Sequence, residues 1–515
     1  MTAKPVLDVI TIGRSSVDLY GAQVGGRLED MASFKKYIGG SPTNIAAGSA
    51  RLGLKSAVIT RVGDEHMGRF IREQLQREGV DVTAVKTDPK RLTALVLLGI
   101  RDDEQFPLIF YRENCADMAI CEDDIDPAFL AKAGCVTATG THLSHPRTEA
   151  AVLKALRLAR ENGARTALDI DYRPNLWGLA GHGAGEERFI ESAAVTERLQ
   201  KTLPLFDLIV GTEEEFHIAG GSTDTMEALR AVRSISKATL VCKRGPMGAV
   251  AFEDDVGPTL DGGVSGPGFP IEVFNVLGAG DGFMSGLLRG WLRGEAWETV
   301  LTWANACGAF AVSRHGCAPA YPSWEELQWF LKNGSEHRAL RHDVKLEHIH
   351  WATNRRDMPE RINVVDLSDH TPEQQAERVR ALAEAGGPDG STGVILSNDA
   401  RQALFAATGS GLWVGRRLDP NDEQDMGSLI ADWPVEQTLV FEGDDDETTR
   451  RAFHAARAAG LEIALDVVLG DDVISLLQQG ITPDWWIEPE IDGSTIRSLD
   501  PWCRGALEPL EEDDT

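Results

Sequence analysis

The run Asn275-Val-Leu-Gly278-Ala279-Gly280-Asp281-Gly-Phe leads straight into the apolar stretch MSGLLRGWL. Small residues at the first turn of a helix leave backbone N–H groups open toward an anion, and the helix dipole adds partial positive charge there. A carboxylate beside that hole repels phosphate, so Asp281 is a poor phosphate ligand. It is well placed to take a proton from a hydroxyl that attacks phosphorus. The same residues would also suit a glycine-rich loop closed by an Asp cap, and the motif alone does not choose between the two. A second glycine turn, Gly39-Gly40-Ser41-Pro42-Thr43-Asn44, opens another helix. The chain contains no GxxxxGK[ST] sequence, which excludes a P-loop.

The elements that must position these motifs can be read from periodicity. Residues 6 to 325 alternate β-branched runs (VLDVITIG, SAVITRVG, CVTATGTHL, ARTALDID, FDLIVGT, ATLVCKRG, GAVAFED) with amphipathic helical stretches such as TEAAVLKALRLARENG. That rhythm predicts an α/β fold with a mostly parallel sheet in a three-layer α/β/α core. Two segments break it. VDLYGAQVGG with ASFKKYIGG, and RLTALVLLGIRDDEQFPLIFYREN, read as antiparallel ribbons and predict a β-ribbon lid over a ligand cleft.

The two glycine motifs, so far apart on an α/β chain with ribbon inserts, resemble the two signatures of the PfkB (ribokinase-like) carbohydrate kinases. The likeness covers residues 6 to about 322 and extends through Ala304-Asn305-Ala-Cys-Gly-Ala-Phe to Gly316, which resembles the family's adenine-side helix and loop. Within the family the chain is most similar to the branch that phosphorylates 5-dehydro-2-deoxygluconate in inositol catabolism. Phe110-Tyr111-Arg112-Glu113-Asn114-Cys115-Ala116-Asp117, Asp169-Ile-Asp171-Tyr172-Arg173-Pro-Asn-Leu-Trp177 and Gly211-Thr212-Glu213-Glu214-Glu215-Phe216 carry that likeness. The 2-keto-3-deoxygluconate kinases, with the same chemistry and similar Arg placement, remain the alternative.

The resemblance implies ATP and Mg2+ as cofactors, with Asp281 as base and Gly278, Ala279 and Gly280 stabilising the phosphoryl charge. It implies a substrate site with Asp18 accepting a sugar hydroxyl, together with Gly39, Gly40, Asn44, Tyr111, Arg112 and Arg173. Arg112 ends a ribbon and Arg173 follows a core strand, and each could offer a planar fork to a carboxylate. Lys243, Gly245 and Gly248 stand where the family's nucleotide phosphates pass, and Asn305 stands on the adenine side. Glu215 matches the Glu of the family's Asn-x-x-Glu magnesium element, although Thr212 occupies the usual Asn position. Many relatives carry Asp where Asn275 stands, near a monovalent-cation site, so the substitution leaves potassium activation open.

Beyond a helical linker at residues 326–345, residues 346–500 carry five or six strand-like runs. That is short of the eight repeats of a closed (β/α) barrel, so a partial barrel-like domain is expected. Leu346-Glu-His348-Ile-His350, Leu412-Trp413-Val-Gly-Arg416 and Asp432-Trp433-Pro-Val-Glu436 resemble an aldolase-like domain found fused to these kinases. A carbon–carbon lyase is therefore the rival function. No Lys follows Lys345, so no Schiff base can form there, and the domain reads as non-catalytic. His348 and His350 could share a strand face, while Trp413, Trp433, Trp485 and Trp486 read as core, and residues 501–515 read as an acidic tail.

The 515 residues carry a net charge of -29, of which residues 346–515, with 35 acids and 13 bases, hold -22. Such acidity disfavours nucleic acid as a partner. No apolar run reaches the length of a membrane span. Seven scattered Cys without a CxxC argue against a disulfide scaffold and for a cytoplasmic location. Expected partners are a small sugar acid and ATP, with a homo-oligomer possible.

Overall fold

A computed structural model of the chain describes residues 5–102 and 105–353, and beyond these 361–385, 392–397, 403, 413–418, 438–442, 462–466, 485–487 and 505–509. The chain divides into two compact units, Met1–Leu340 and Arg341–Thr515.

The first unit carries strands β1 (Val9–Ile12), β2 (Ser16–Gly21), β3 (Phe34–Gly39), β4 (Ser56–Gly63), β5 (Val85–Asp88), β6 (Ala94–Leu98) and β7 (Leu108–Tyr111). After these come β8 (Cys135–Thr139), β9 (Arg165–Asp169), β10 (Leu208–Thr212), β11 (Thr239–Lys243), β12 (Ala249–Phe252) and β13 (Val264–Gly266). Nine of them form one sheet in the order β13-β12-β11-β10-β9-β8-β1-β4-β5. It is parallel from β11 to β5, and β12 and β13 run antiparallel at one edge. Alternation along the strands sends side chains to two cores, as period-2 geometry requires. Ile10, Ile12, Ile209 and Leu240 meet helix residues such as Leu156 and Leu229 on one face. Val9, Leu208, Val210 and Val241 meet Ile45, Phe283, Met284 and Leu287 on the other. This is the three-layer core expected from the strand–helix rhythm.

The two ribbons merge into a single four-stranded sheet, β3-β2-β6-β7. Each ribbon is antiparallel, and β2 joins β6 in parallel.

In the second unit all six strand-like runs form strands, and a seventh closes them. β14 (Arg361–Asp366), β15 (Thr392–Leu396), β16 (Trp413–Leu418), β17 (Thr438–Glu442), β18 (Glu462–Asp466), β19 (Trp485–Ile487) and β20 (Gly505–Pro509) make a closed parallel barrel. β20 pairs with both β19 and β14. The partial barrel expected from the strand count is thus closed by a segment that reads as an acidic tail. Val364, Ile395, Val440, Ala464 and Trp485 cluster together. Val365, Leu367, Val394 and Leu396 pack instead on Ala376 and Val379 of the helix Pro372–Ala385. Trp485 and Trp486 are buried, as expected of core. His348 and His350 fall in the helix Val344–Thr353, so the strand face expected to bring them together does not exist. Trp433 lies outside the described residues.

Ending the chain at Arg504 removes β20 and opens two strand edges, which leaves a barrel without its closure. We expect proteases to cut the 341–504 segment of that variant well before they cut it in the full chain. Equal resistance of the two would contradict closure by β20.

Candidate active site

A cleft of about 620 Å3 lies at the C-terminal ends of the parallel strands, the usual place for ligands in open α/β sheets. Arg14 enters it just past β1, and Asp169, Asp171 and Arg173 enter from the end of β9. Lys243 ends β11, and Glu215 lies in the helix Glu213–Gly220 that follows β10. The ribbon sheet contributes Asp18, Val96, Leu108 and Phe110, so the expected lid does form one wall.

Asp281 lies in the first turn of the helix Ala279–Arg293, whose cap Gly278 is left-handed at φ 80°. Its carboxylate is pinned from a second helix, Ser41–Arg51. Ser41 Oγ donates to Oδ1 at 2.6 Å and Asn44 Nδ2 to Oδ2 at 2.9 Å. Burial pushes the carboxyl above its ordinary range and Asp171 adds to the shift, while Ser41, Asn44 and Arg14 oppose it. Gly278 and Gly280 line the same cleft, so helix-terminal backbone and a raised-pKa carboxylate face one space.

Asp18 stands opposite, on β2. Burial pushes its carboxyl up to about 6, against the pull of Ser16, whose Oγ donates at 2.8 Å, and of Arg14. Gly39 exists for this carboxylate: a Cβ there would lie 1.9 Å from Asp18 Oδ1. Gly40 and Asn44 also reach the cleft.

Lys243 Nζ sits 3.0 Å from Asp169 Oδ1 and 3.4 Å from Glu215 Oε2. Burial alone would push the ammonium down, but the two carboxylates more than offset it and Lys243 stays charged. Glu215 also closes a capping box, accepting from Thr212 N–H at 2.7 Å while Thr212 Oγ1 accepts from Glu215 N–H at 3.2 Å. Thr and Asn are both good N-caps, so Thr212 can fill the usual Asn place without disturbing the helix. Asp169 and Glu215 are carboxylates of the kind that hold a divalent cation through oxygen.

Other expected residues lie elsewhere. Arg112 is not in the cleft: its Nε donates to Asp117 at 2.7 Å, and the pair is buried. Asp117, five residues on in the 3-10 turn Ala116–Ala119, therefore holds the Nε of the guanidinium expected to meet substrate. Tyr111 is 55% exposed and outside the cleft lining. Gly245 and Gly248 shape the turn between β11 and β12, with Arg244 N–H donating to Gly248 O at 2.8 Å. Asn305 is buried in the helix Trp297–Ser313, and its Nδ2 has no hydrogen-bond partner among the described residues. Conversely Arg14, Asp169 and Asp171 line the cleft although sequence pattern assigns them no role. Their signal is positional, since each ends a core strand or lies two residues past one.

Residues 6–324 match the model of the family described as pfkB family carbohydrate kinase, and residues 326–508 match one described as an uncharacterized protein conserved in bacteria (DUF2090). A 5-dehydro-2-deoxygluconokinase from Halalkalibacterium halodurans is 32% identical over 330 residues, covering 63% of this chain and 94% of the relative. Among solved structures, a PfkB protein from Polaromonas sp. JS666 aligns with a TM-score of 0.52 at 28% identity, covering 62% of this chain and 99% of that one. An aminoimidazole riboside kinase from Salmonella enterica, complexed with aminoimidazole riboside and an ATP analogue, aligns with a TM-score of 0.51 at 25% identity, covering 63% of this chain and all of the other (100%). With a cleft of this chemistry and a family match over more than half its length, the chain belongs to the pfkB family of carbohydrate kinases, phosphotransferases whose acceptor is a sugar alcohol group.

Proposed function

We propose that this chain transfers the terminal phosphoryl group of ATP to the terminal hydroxyl of 5-dehydro-2-deoxygluconate, in the cytoplasm. The observation that carries the reading is Asp281, buried and pinned by Ser41 and Asn44 beside the helix-terminal backbone of Gly278 and Gly280. The named relative supports the sugar acid as substrate, and Arg173 in the cleft supplies a cation suited to it. Bound ATP would supply the phosphoryl group, and magnesium held at the site would offset part of its charge. Asp18 holds a sugar hydroxyl, and Asp281 accepts the proton as the attacking oxygen bonds to phosphorus. Glu215 and Asp169 would hold the metal, and Lys243 the phosphates. Asn305, with a donor to spare, would face the base. The second unit, with no lysine beyond Lys345 for imine chemistry, serves assembly or stability instead.

Removal of a positioned general base typically costs about 10² to 10⁴ in rate. Asp281→Asn should lower kcat on 5-dehydro-2-deoxygluconate by that order while an ATP analogue still binds. Near-normal turnover would reduce Asp281 to a cap, and a native preference for ribose or fructose would remove the sugar acid as substrate.

Asp18 must be ionised to accept from a hydroxyl, so kcat/KM should fall as pH drops through about 6. Stability moves the other way in the same window. The folded carboxyl keeps its proton where the unfolded chain, near its ordinary 3.8, has lost it, so folding gains from this group as pH falls from 6 toward 4. A rate profile flat from pH 5 to pH 8 would contradict the role given to Asp18.

Asn275 speaks to the monovalent cation. It is fully buried, and its Nδ2 donates to Gly316 O at 3.1 Å and Leu277 O at 3.2 Å, with Oδ1 accepting from Leu277 N–H at 3.0 Å. A neutral amide thus ties together two carbonyls and leaves no carboxylate to attract a cation. Initial rates should be the same in potassium and choline buffers, and strong activation by potassium would refute this.

A further inference from the structure

We propose that Arg14 reads the carboxylate of the substrate, with Arg173 as its partner and Asp171 holding both guanidinium groups ready. This rests on the sugar-acid reading above. Arg14 is 9% exposed and lines the cleft on the lid side, its guanidinium carbon 6.0 Å from the ring of Phe110. Its one ion contact, NH2 to Asp171 Oδ2, is 3.7 Å long, and its Nε has no hydrogen-bond partner among the described residues. A buried guanidinium left so loosely held is costly unless something else pairs with it.

Asp171 does not supply that pairing. Its Oδ2 already accepts from Thr141 Oγ1 at 3.0 Å, and its Oδ1 stands 3.9 Å from Arg173 Nε. Two guanidinium groups therefore face one carboxylate, neither within hydrogen-bond distance. Arg188 registers the charge of Arg173: that neighbour, with burial, brings its guanidinium down to about 9 against the pull of Glu215 and Asp171. Lys243 differs, being closely paired to Asp169 at 3.0 Å, and so does Arg112, locked to Asp117 at 2.7 Å. Of the cations that line the cleft, the two with no carboxylate within hydrogen-bond distance are thus Arg14 and Arg173, the latter reaching only the Tyr172 carbonyl at 3.5 Å. A planar carboxylate with two acceptor oxygens is the ligand chemistry they fit.

A competing role is structural. Arg14 also pulls down the carboxyls of Asp18 and Asp281, as a mere counter-charge would. The two roles separate when KM is measured for 5-dehydro-2-deoxygluconate, for its neutral C1 amide and for ATP in the native chain, Arg14→Gln and Arg14→Lys. Losing one partner of a desolvated charge pair should raise KM for the acid by about 30- to 1000-fold in R14Q. KM for the amide and for ATP should change far less, and R14K, keeping the charge without the fork, should fall between. A counter-charge role instead predicts equal losses on acid and amide, with the acid limb of kcat/KM moved to higher pH, and that result overturns the proposal. A native preference for acid over amide that survives in R14Q and R14K overturns Arg14 alone. A native chain that does not distinguish acid from amide overturns the sugar-acid reading and the Arg14 proposal together.

Discussion

The carboxylate of Asp281 can be held out of water only because two helix N-termini approach closely enough to share it. Ser41 and Asn44 lie in the first turns of the helix Ser41–Arg51, and Asp281 lies in the first turn of Ala279–Arg293. Their approach is fixed by what is missing from the interface. A Cβ on Gly48 would lie 2.3 Å from Ser285 Oγ and 2.9 Å from the ring of Tyr321. Small residues bury little apolar area, so the pair cannot be held by its own contact surface. Phe283, Met284 and Leu287 anchor one helix and Ile45 the other against the sheet, and the shared core brings the two termini together. The base is therefore positioned by packing that extends well beyond the cleft.

The same enclosure sets the electrostatics. Asp18, Asp169, Asp171, Glu215 and Asp281 line one cleft with Arg14, Arg173 and Lys243. Carboxylates outnumber cations there, and burial penalises every charge it does not pair. Asp18 and Asp281 respond with raised pKa values, a state useful to Asp281, which accepts a proton from the attacking hydroxyl. Lys243 is held by two carboxylates and cannot by itself offset the charge of a triphosphate. The excess of carboxylates suits a nucleotide that arrives with a divalent cation.

Much of this was legible in the sequence, and the exceptions have physical causes. The glycine motifs mark places where backbone must approach something closely, as Gly39 does Asp18. Strand periodicity gave the core because seven parallel strands must be apolar on both faces. Arg112 was misleading because its competitor is local: Asp117 sits five residues on, and a short turn brings it under the guanidinium before any ligand can. Arg14 carries no signal beyond its position, since a single Arg after a strand reads the same whether it meets solvent or a cleft. β20 escaped because Gly-Ala-Leu-Glu-Pro is short, weakly β-forming and next to an acidic end. Its pairing with β19, and with β14 about 140 residues earlier, makes it a strand.

Asp171 shows how the fold sustains an arrangement that local preference opposes. It is one of two non-glycine residues with positive φ among the described residues, at 36°. Such a conformation typically costs about 1 to 3 kcal/mol and persists only where the surroundings over-determine it. Here they do. Asp169, two residues earlier, ends a strand paired on both sides by β8 and β10, so the chain arrives in a fixed direction. Thr141 Oγ1 then lies 3.0 Å from both the backbone carbonyl and Oδ2 of Asp171. Between that clamp and the strand the residue cannot relax without losing the hydroxyl contact or the strand pairing. A strained carboxylate fixed between two arginines is rigid in a way that a surface ion pair is not, and rigidity is what a site needs if it is to distinguish one anionic group from a neutral copy of it.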